Sequence, residues 1–152
     1  MPKLTNNENG RGFTDAVVLT SADLAAIAAA GGTRVIGLIP KGGGIKGASI
    51  STARTFVTAG TNTAVAPTGA VSVGISGTAA KHIASAVPPA TVDTAARFNS
   101  GSGWTTGIPT VIDIPTTAAI PVILTVAAGN YASLDGQIVI TLDIIDPVEQ
   151  AS

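Results

Sequence analysis

Apolar and polar positions alternate with a period of two along most of this chain, the signature of strands with one buried face. Phe13 to Thr20 (FTDAVVLT) reads as a first strand. Thr33 to Ile39 (TRVIGLI) is a second, ended by Pro40 and a Gly42-Gly43-Gly44 turn. Ile45 to Val57 follows, with Ile45, Gly47 and Ser49 expected on one face and Lys46, Ala48 and Ile50 on the other. Val71, Val73 and Ile75 alternate with small or polar residues. Val92 to Phe98, Thr110 to Ile114 and Pro121 to Val126 are further strands. The clearest pattern comes last: Ile138, Ile140, Leu142 and Ile144 form an unbroken row after Asp135-Gly136, a dipeptide suited to a tight hairpin turn.

Two segments depart from that period. Thr20 followed by Asp23 has the form of a capping box, and Ala22 to Ala30 is rich in the best helix formers. Gly31-Gly32 supplies the stop. Thr78 to Ala86 is expected to add a helical turn before Pro88-Pro89. About eight short strands with Gly, Pro, Asn and Thr punctuation and one short N-terminal helix make the fold class all-β, an antiparallel β-sandwich or jelly roll. A βαβ arrangement would need long helices between strands, and they are missing. The 152 residues suffice for one domain. Expected boundaries are a flexible arm at 1–12, a single sandwich at 13–147 and a tail at 148–152.

Composition sharpens this picture. Charged residues are 11% of the chain and hydrophobic residues 45%, the reverse of a disordered chain. A formal net charge of −1 gives no electrostatic footprint for nucleic acid or an anionic membrane. Without cysteine there is neither a disulfide framework nor thiolate chemistry. Met1 to Gly12 is polar and lacks the apolar centre of a secretory signal. The longest apolar stretch, Ala118 to Ala128, is far short of the roughly 20 residues that span a bilayer.

Where charge is absent is informative. Thr55 to Ala80 contains no Asp, Glu, Lys, Arg or His, and Phe98 to Leu134 contains Asp113 as its one charged residue. These stretches are either Thr/Ser/Gly-rich loops, polar enough without charge, or contacts between subunits, since charge is depleted at interface cores. A mean hydropathy of +0.48 in so short a chain favours the second reading, and with it a homo-oligomer.

Candidate chemistry is sparse. Gly42, Gly44 and Gly47 fit G-x-G-x-x-G, but a strand pattern follows where a dinucleotide site needs a helix N-terminus, so they read as a turn. His82 is the sole imidazole; Ser76 and Ser85 are near, yet no G-x-S-x-G elbow or neighbouring acid accompanies it. A solvated or loop-packing histidine is expected. Asp143 and Asp146 could pair with Asp113 or Asp135, but they lack the alternating acids of a calcium loop. Trp104, in a glycine-rich loop, suits core packing, a partner contact or stacking on a sugar. No catalytic, cofactor-binding or metal-binding residue is assigned, and an enzyme is not expected.

The order of features carries a resemblance. A strand leads into "TSADLAAIAAAGG", then "VIGLIPKGGGIKGASISTARTF" with a P-x-G turn (Pro40, Lys41, Gly42) and a T-x-F element (Thr55, Phe56). A V-x-V-G element (Val71 to Gly74) with G-T-A (Gly77 to Ala79) follows, and a G-x-I-x-I strand (Gly136, Ile138, Ile140) closes the chain. Over roughly residues 13 to 146 this resembles the capsid decoration, or cement, proteins of tailed bacteriophages. The resemblance implies a virion protein on the capsid surface, made in the host cytoplasm, whose partners are the major capsid protein and its own copies, as a trimer. It implies no catalysis and no cofactor. The expected interface residues are Lys3, Leu4, Arg11, Phe13, Phe56, Trp104 and Tyr131, with the arm ordering on a neighbouring subunit. A tail or baseplate module that binds host glycans is the alternative.

Overall fold

The structure, a computed structural model, describes residues 11–92, 97–98 and 111–146, with backbone alone at 11–13 and 97–98. Its strands are β1 (Arg11–Thr20), β2 (Thr33–Ile39), β3 (Gly44–Thr58), β4 (Val71–Ile75), β5 (Thr78–Ala86), β6 (Arg97–Phe98), β7 (Ile120–Val126) and β8 (Leu134–Asp146). Helix α1 (Ser21–Ala29) links β1 to β2. Pairing is nested: β1 with β8, β2 with β7, β3 with β6 and β4 with β5, all antiparallel. Lateral pairs β8–β3 and β7–β4 then complete two four-stranded sheets, β1-β8-β3-β6 and β2-β7-β4-β5. A long hairpin rolled up in this manner is a jelly roll, which is the expected fold class.

The core lies between the sheets. Ile138, Ile140, Leu142 and Ile144 of β8 are all fully buried and face Val122, Leu124 and Val126 of β7. Each such side chain contributes about 1.5–3 kcal/mol by leaving water. Helix α1 carries the chain from one sheet to the other and plugs the end of the sandwich with Leu24 and Ile27. Its start is the expected capping box: Thr20 Oγ1 accepts from the Asp23 amide at 3.1 Å, and Asp23 Oδ2 accepts from the Thr20 amide at 3.0 Å. Those hydrogen bonds hold the Asp23 carboxyl below its ordinary range.

Several expectations are corrected. Thr78–Ala86 is a strand, not a helical turn. Register shifts along β4–β5 break the two-residue period, so His82 and Ile83 are both buried and the alternation is lost from the sequence. In β3 a shift between Ile45 and Gly47 turns Ile45, Ala48 and Ile50 all inward, against the predicted division of faces. Residues 111–114 form no strand; one bridge, Ile112 to Ile45, joins them to β3. Of Val92–Phe98, Arg97–Phe98 is a strand, and 93–96 lie outside the described residues. Asp135-Gly136 is not a turn but part of β8, the reversal being made upstream by a 3-10 turn at Tyr131–Ser133. Glycine is needed at 136 for space: a Cβ there would stand 2.5 Å from Phe56 Cδ1. The Gly42 turn is as expected, with φ of 80° at Gly42 and the Gly43 amide donating to the Pro40 carbonyl at 2.9 Å.

Candidate functional site: an uncharged sheet face and a buried ionic latch

The two charge-poor stretches, far apart in sequence, meet in one sheet. β4 comes from the first and β7 from the second, and they pair side by side. With the edge strand β2 beside β7, the three carry a single charge, Arg34. On their outer surface Val35 stands opposite Ile123, Leu38 opposite Pro121, and Thr33 opposite Thr125. Val35 and Leu38 are 59% and 52% exposed, high for aliphatic side chains. Arg34 pairs with the register of the buried Leu124, one position out of phase with Val35, and its charge acts on Asp23 of α1. The result is an uncharged, aliphatic and threonine-lined outer face on an open sheet edge.

The opposite sheet is finished differently. On its outer face the Thr14 hydroxyl donates to Asp143 Oδ1 at 2.8 Å, and Arg54 pairs with Asp135 at 3.1 Å. The candidate carboxylate set is thereby dispersed: Asp143, Asp135 and Asp113 each face a different partner. Among the described residues no group of three metal-ligating side chains converges.

The second feature is a strap, residues 111–115, across one end of the sandwich. Its backbone bonds β3 reciprocally, the Ile112 amide to the Ile45 carbonyl at 2.9 Å and the Ile45 amide to the Ile112 carbonyl at 3.0 Å. The Gly42 amide reaches the Pro115 carbonyl at 2.8 Å. Between these anchors Asp113 adopts φ of 54°, a left-handed conformation that aspartate tolerates better than most residues. Its side chain, 5% exposed, contacts Lys81 Nζ through Oδ1 and lies 3.2 Å from His82 Nε2 through Oδ2. The latch therefore ties the strap to β5 in one sheet while its backbone holds β3 in the other.

His82 is fully buried, not solvated, and it does have an acidic neighbour, supplied by the fold from 31 positions away. Burial pulls its pKa down to about 4, against the opposing pull of Asp113, and Lys81 adds to the depression. The imidazole is neutral at pH 7. One sequence signal pointed here: Asp113 is the lone charge in a long uncharged stretch.

Of the expected interface residues, Phe56 and Tyr131 are corrected. Both are buried in the core, with ring centroids 6.2 Å apart, and the Tyr131 hydroxyl donates to the Gly69 carbonyl. Desolvation pushes the Tyr131 pKa up to about 12. They fill the sandwich beneath α1 and offer no surface. Arg11 and Phe13 lie on edge strand β1, in register with Asp146 and Ile144. Lys3, Leu4 and Trp104 lie outside the described residues. Val35, Leu38, Pro121 and Ile123 were missed, because single strands do not reveal which outer faces adjoin.

No protein-family model and no curated protein matches this chain. Among solved structures it is similar to a chain of the capsid asymmetric unit of cyanophage Pam1. That similarity spans 97% of this chain and 93% of that one, with 17% identity and a TM-score of 0.55. It is a likeness of fold, and it covers two whole chains.

Proposed function

We propose that this chain is a non-enzymatic structural protein of a tailed-phage virion, bound to the outer surface of the capsid, where it steadies contacts between major capsid protein subunits. The observation that carries this reading is the end-to-end similarity to a chain from a phage capsid. The likeness runs over almost the full length of both chains.

The uncharged outer face of β2 and β7 supports the same reading. Adhesion needs apolar area without costly desolvation of charges, and Val35, Leu38, Pro121 and Ile123 provide it. Self-association, as a trimer on this proposal, would repeat the face around an axis, so that several modest contacts act together.

Quantitative mass spectrometry of purified particles tests the assignment. A capsid-surface protein is expected at a copy number comparable to the major capsid protein and should rebind shells from which it has been stripped. A count in the tens, with recovery in isolated tails, would place it in the tail or baseplate and overturn the proposal.

A further inference from the structure

The contact between Lys81 and Asp113 has a chemistry that an ordinary surface ion pair lacks. Nζ touches Oδ1 of a carboxyl that is nearly removed from solvent, and a histidine side chain stands 3.2 Å from the other oxygen. The backbone of Asp113 is held on both sides, by Ile112 on Ile45 and Pro115 on Gly42, so the carboxyl is presented rather than left to swing. Such restraint gives an intramolecular reaction a large effective concentration. We infer that Lys81 and Asp113 are joined by an amide bond that the folded chain makes on itself, with His82 donating to the oxygen that takes up charge during the reaction.

The step balances without any outside reagent. Within the pair, the Lys81 ammonium passes one proton to Asp113 Oδ1, leaving an amine and a carboxylic acid. The amine lone pair forms a bond to Cγ while the carbonyl π pair moves onto Oδ2. The His82 N–H, in the Nε2 tautomer, stabilises that oxyanion as a hydrogen-bond donor. The lone pair on Oδ2 then re-forms the double bond, the Cγ–Oδ1 bond breaks, and the hydroxyl leaves with a second proton from the attacking nitrogen. One water departs and a neutral secondary amide remains. A neutral, buried His82 suits this role because it keeps an N–H to donate without adding a positive charge that would compete with Lys81.

The bond would close a loop over residues 82–112 in a chain that has no cysteine, and would restrain the unfolded state as a disulfide does. It is independent of the capsid reading, since it concerns the isolated protein. The experiment is an intact-mass measurement on purified full-length protein, with peptide mapping. The expected mass is about 18 Da (one water) below that of the sequence, with a branched peptide joining Lys81 to Asp113. Lys81→Arg keeps the charge but removes the amine nucleophile, so it should return to full mass. Asp113→Asn keeps an electrophilic carbonyl and tolerates the left-handed backbone; it should lose ammonia, about 17 Da, instead of water. Wild-type protein at its full sequence mass would overturn the inference and leave a non-covalent ion pair. A loss of water that persists in Lys81→Arg would overturn it equally, by assigning the dehydration elsewhere.

Discussion

The two sheets of this jelly roll share one core but are finished differently outside. The β1-β8-β3-β6 sheet satisfies its outer polar groups within itself, through Thr14 with Asp143 and Arg54 with Asp135. The β2-β7-β4-β5 sheet presents aliphatic side chains beside β2, with Val35 and Leu38 left in water. Burying apolar area costs little in desolvation, whereas burying the charges of Asp143, Arg54 and Asp135 would cost several kcal/mol each. One face keeps its charges in water; the other, on the proposed function, is the one that a partner covers.

That contrast can be broken most severely at the latch, because both faces depend on the sheets staying together. Asp113→Ala leaves the buried His82 and the Lys81 amine without their common partner. The expected loss is about 3–5 kcal/mol, read by urea unfolding of the variant against wild type.

Acid should act on the same place. The folded pKa of His82, about 4, lies below its ordinary 6.5, so the unfolded chain takes up the proton first. Stability is therefore full above pH 6.5, falls as the pH drops toward 4 and levels off below, by about 3 kcal/mol in all. The depressed Asp23 carboxyl works in the same direction but only as pH falls through the carboxylate range. Denaturant titrations at pH 7 and pH 4.5 measure the slope, and His82→Gln should flatten it.

The faces themselves are compared by placing a charge on each. Ile123→Glu should weaken binding to stripped capsids by about a hundredfold, the equivalent of roughly 2.7 kcal/mol, while leaving the midpoint of thermal unfolding within a few degrees. Thr141→Glu, on the wet face, should leave binding unchanged. Equal losses from both would show that charge alone, rather than this surface, governs attachment. The smallest effect is expected from Arg54→Ala: its pair with Asp135 is about half exposed on both sides, so less than about 1 kcal/mol should be lost in the same unfolding assay.

Much of the fold was legible because regular alternation survives wherever a strand pairs without a bulge. β1, β7 and β8 keep it, with no extra residue of their own, whereas β2 carries one between Val35 and Gly37, and Thr20 with Asp23 marked the helix. β5 was not legible, since bulges against β4 place two neighbouring side chains, His82 and Ile83, in the interior. The site was harder still. Nothing local joins Asp113 to His82, and the pairing of β4 with β7 that creates the uncharged face is a property of topology. Tyr131 and Phe56 show the converse: aromatic type alone does not distinguish a contact residue from a core one.

Nested pairing also dictates the order in which the chain can be assembled. The β4–β5 hairpin closes across a short turn, but β1 waits for β8, which lies far downstream in the chain. Until then β1 and β3 lack the strand that lies between them. A growing polypeptide can complete its β4–β5 hairpin early, yet β1 finds its partner only after β8 has been made. Such distant closure slows folding, and a nonsense mutation between Val126 and Leu134 would leave β1 with no partner and β3 with one edge open rather than a smaller, working protein.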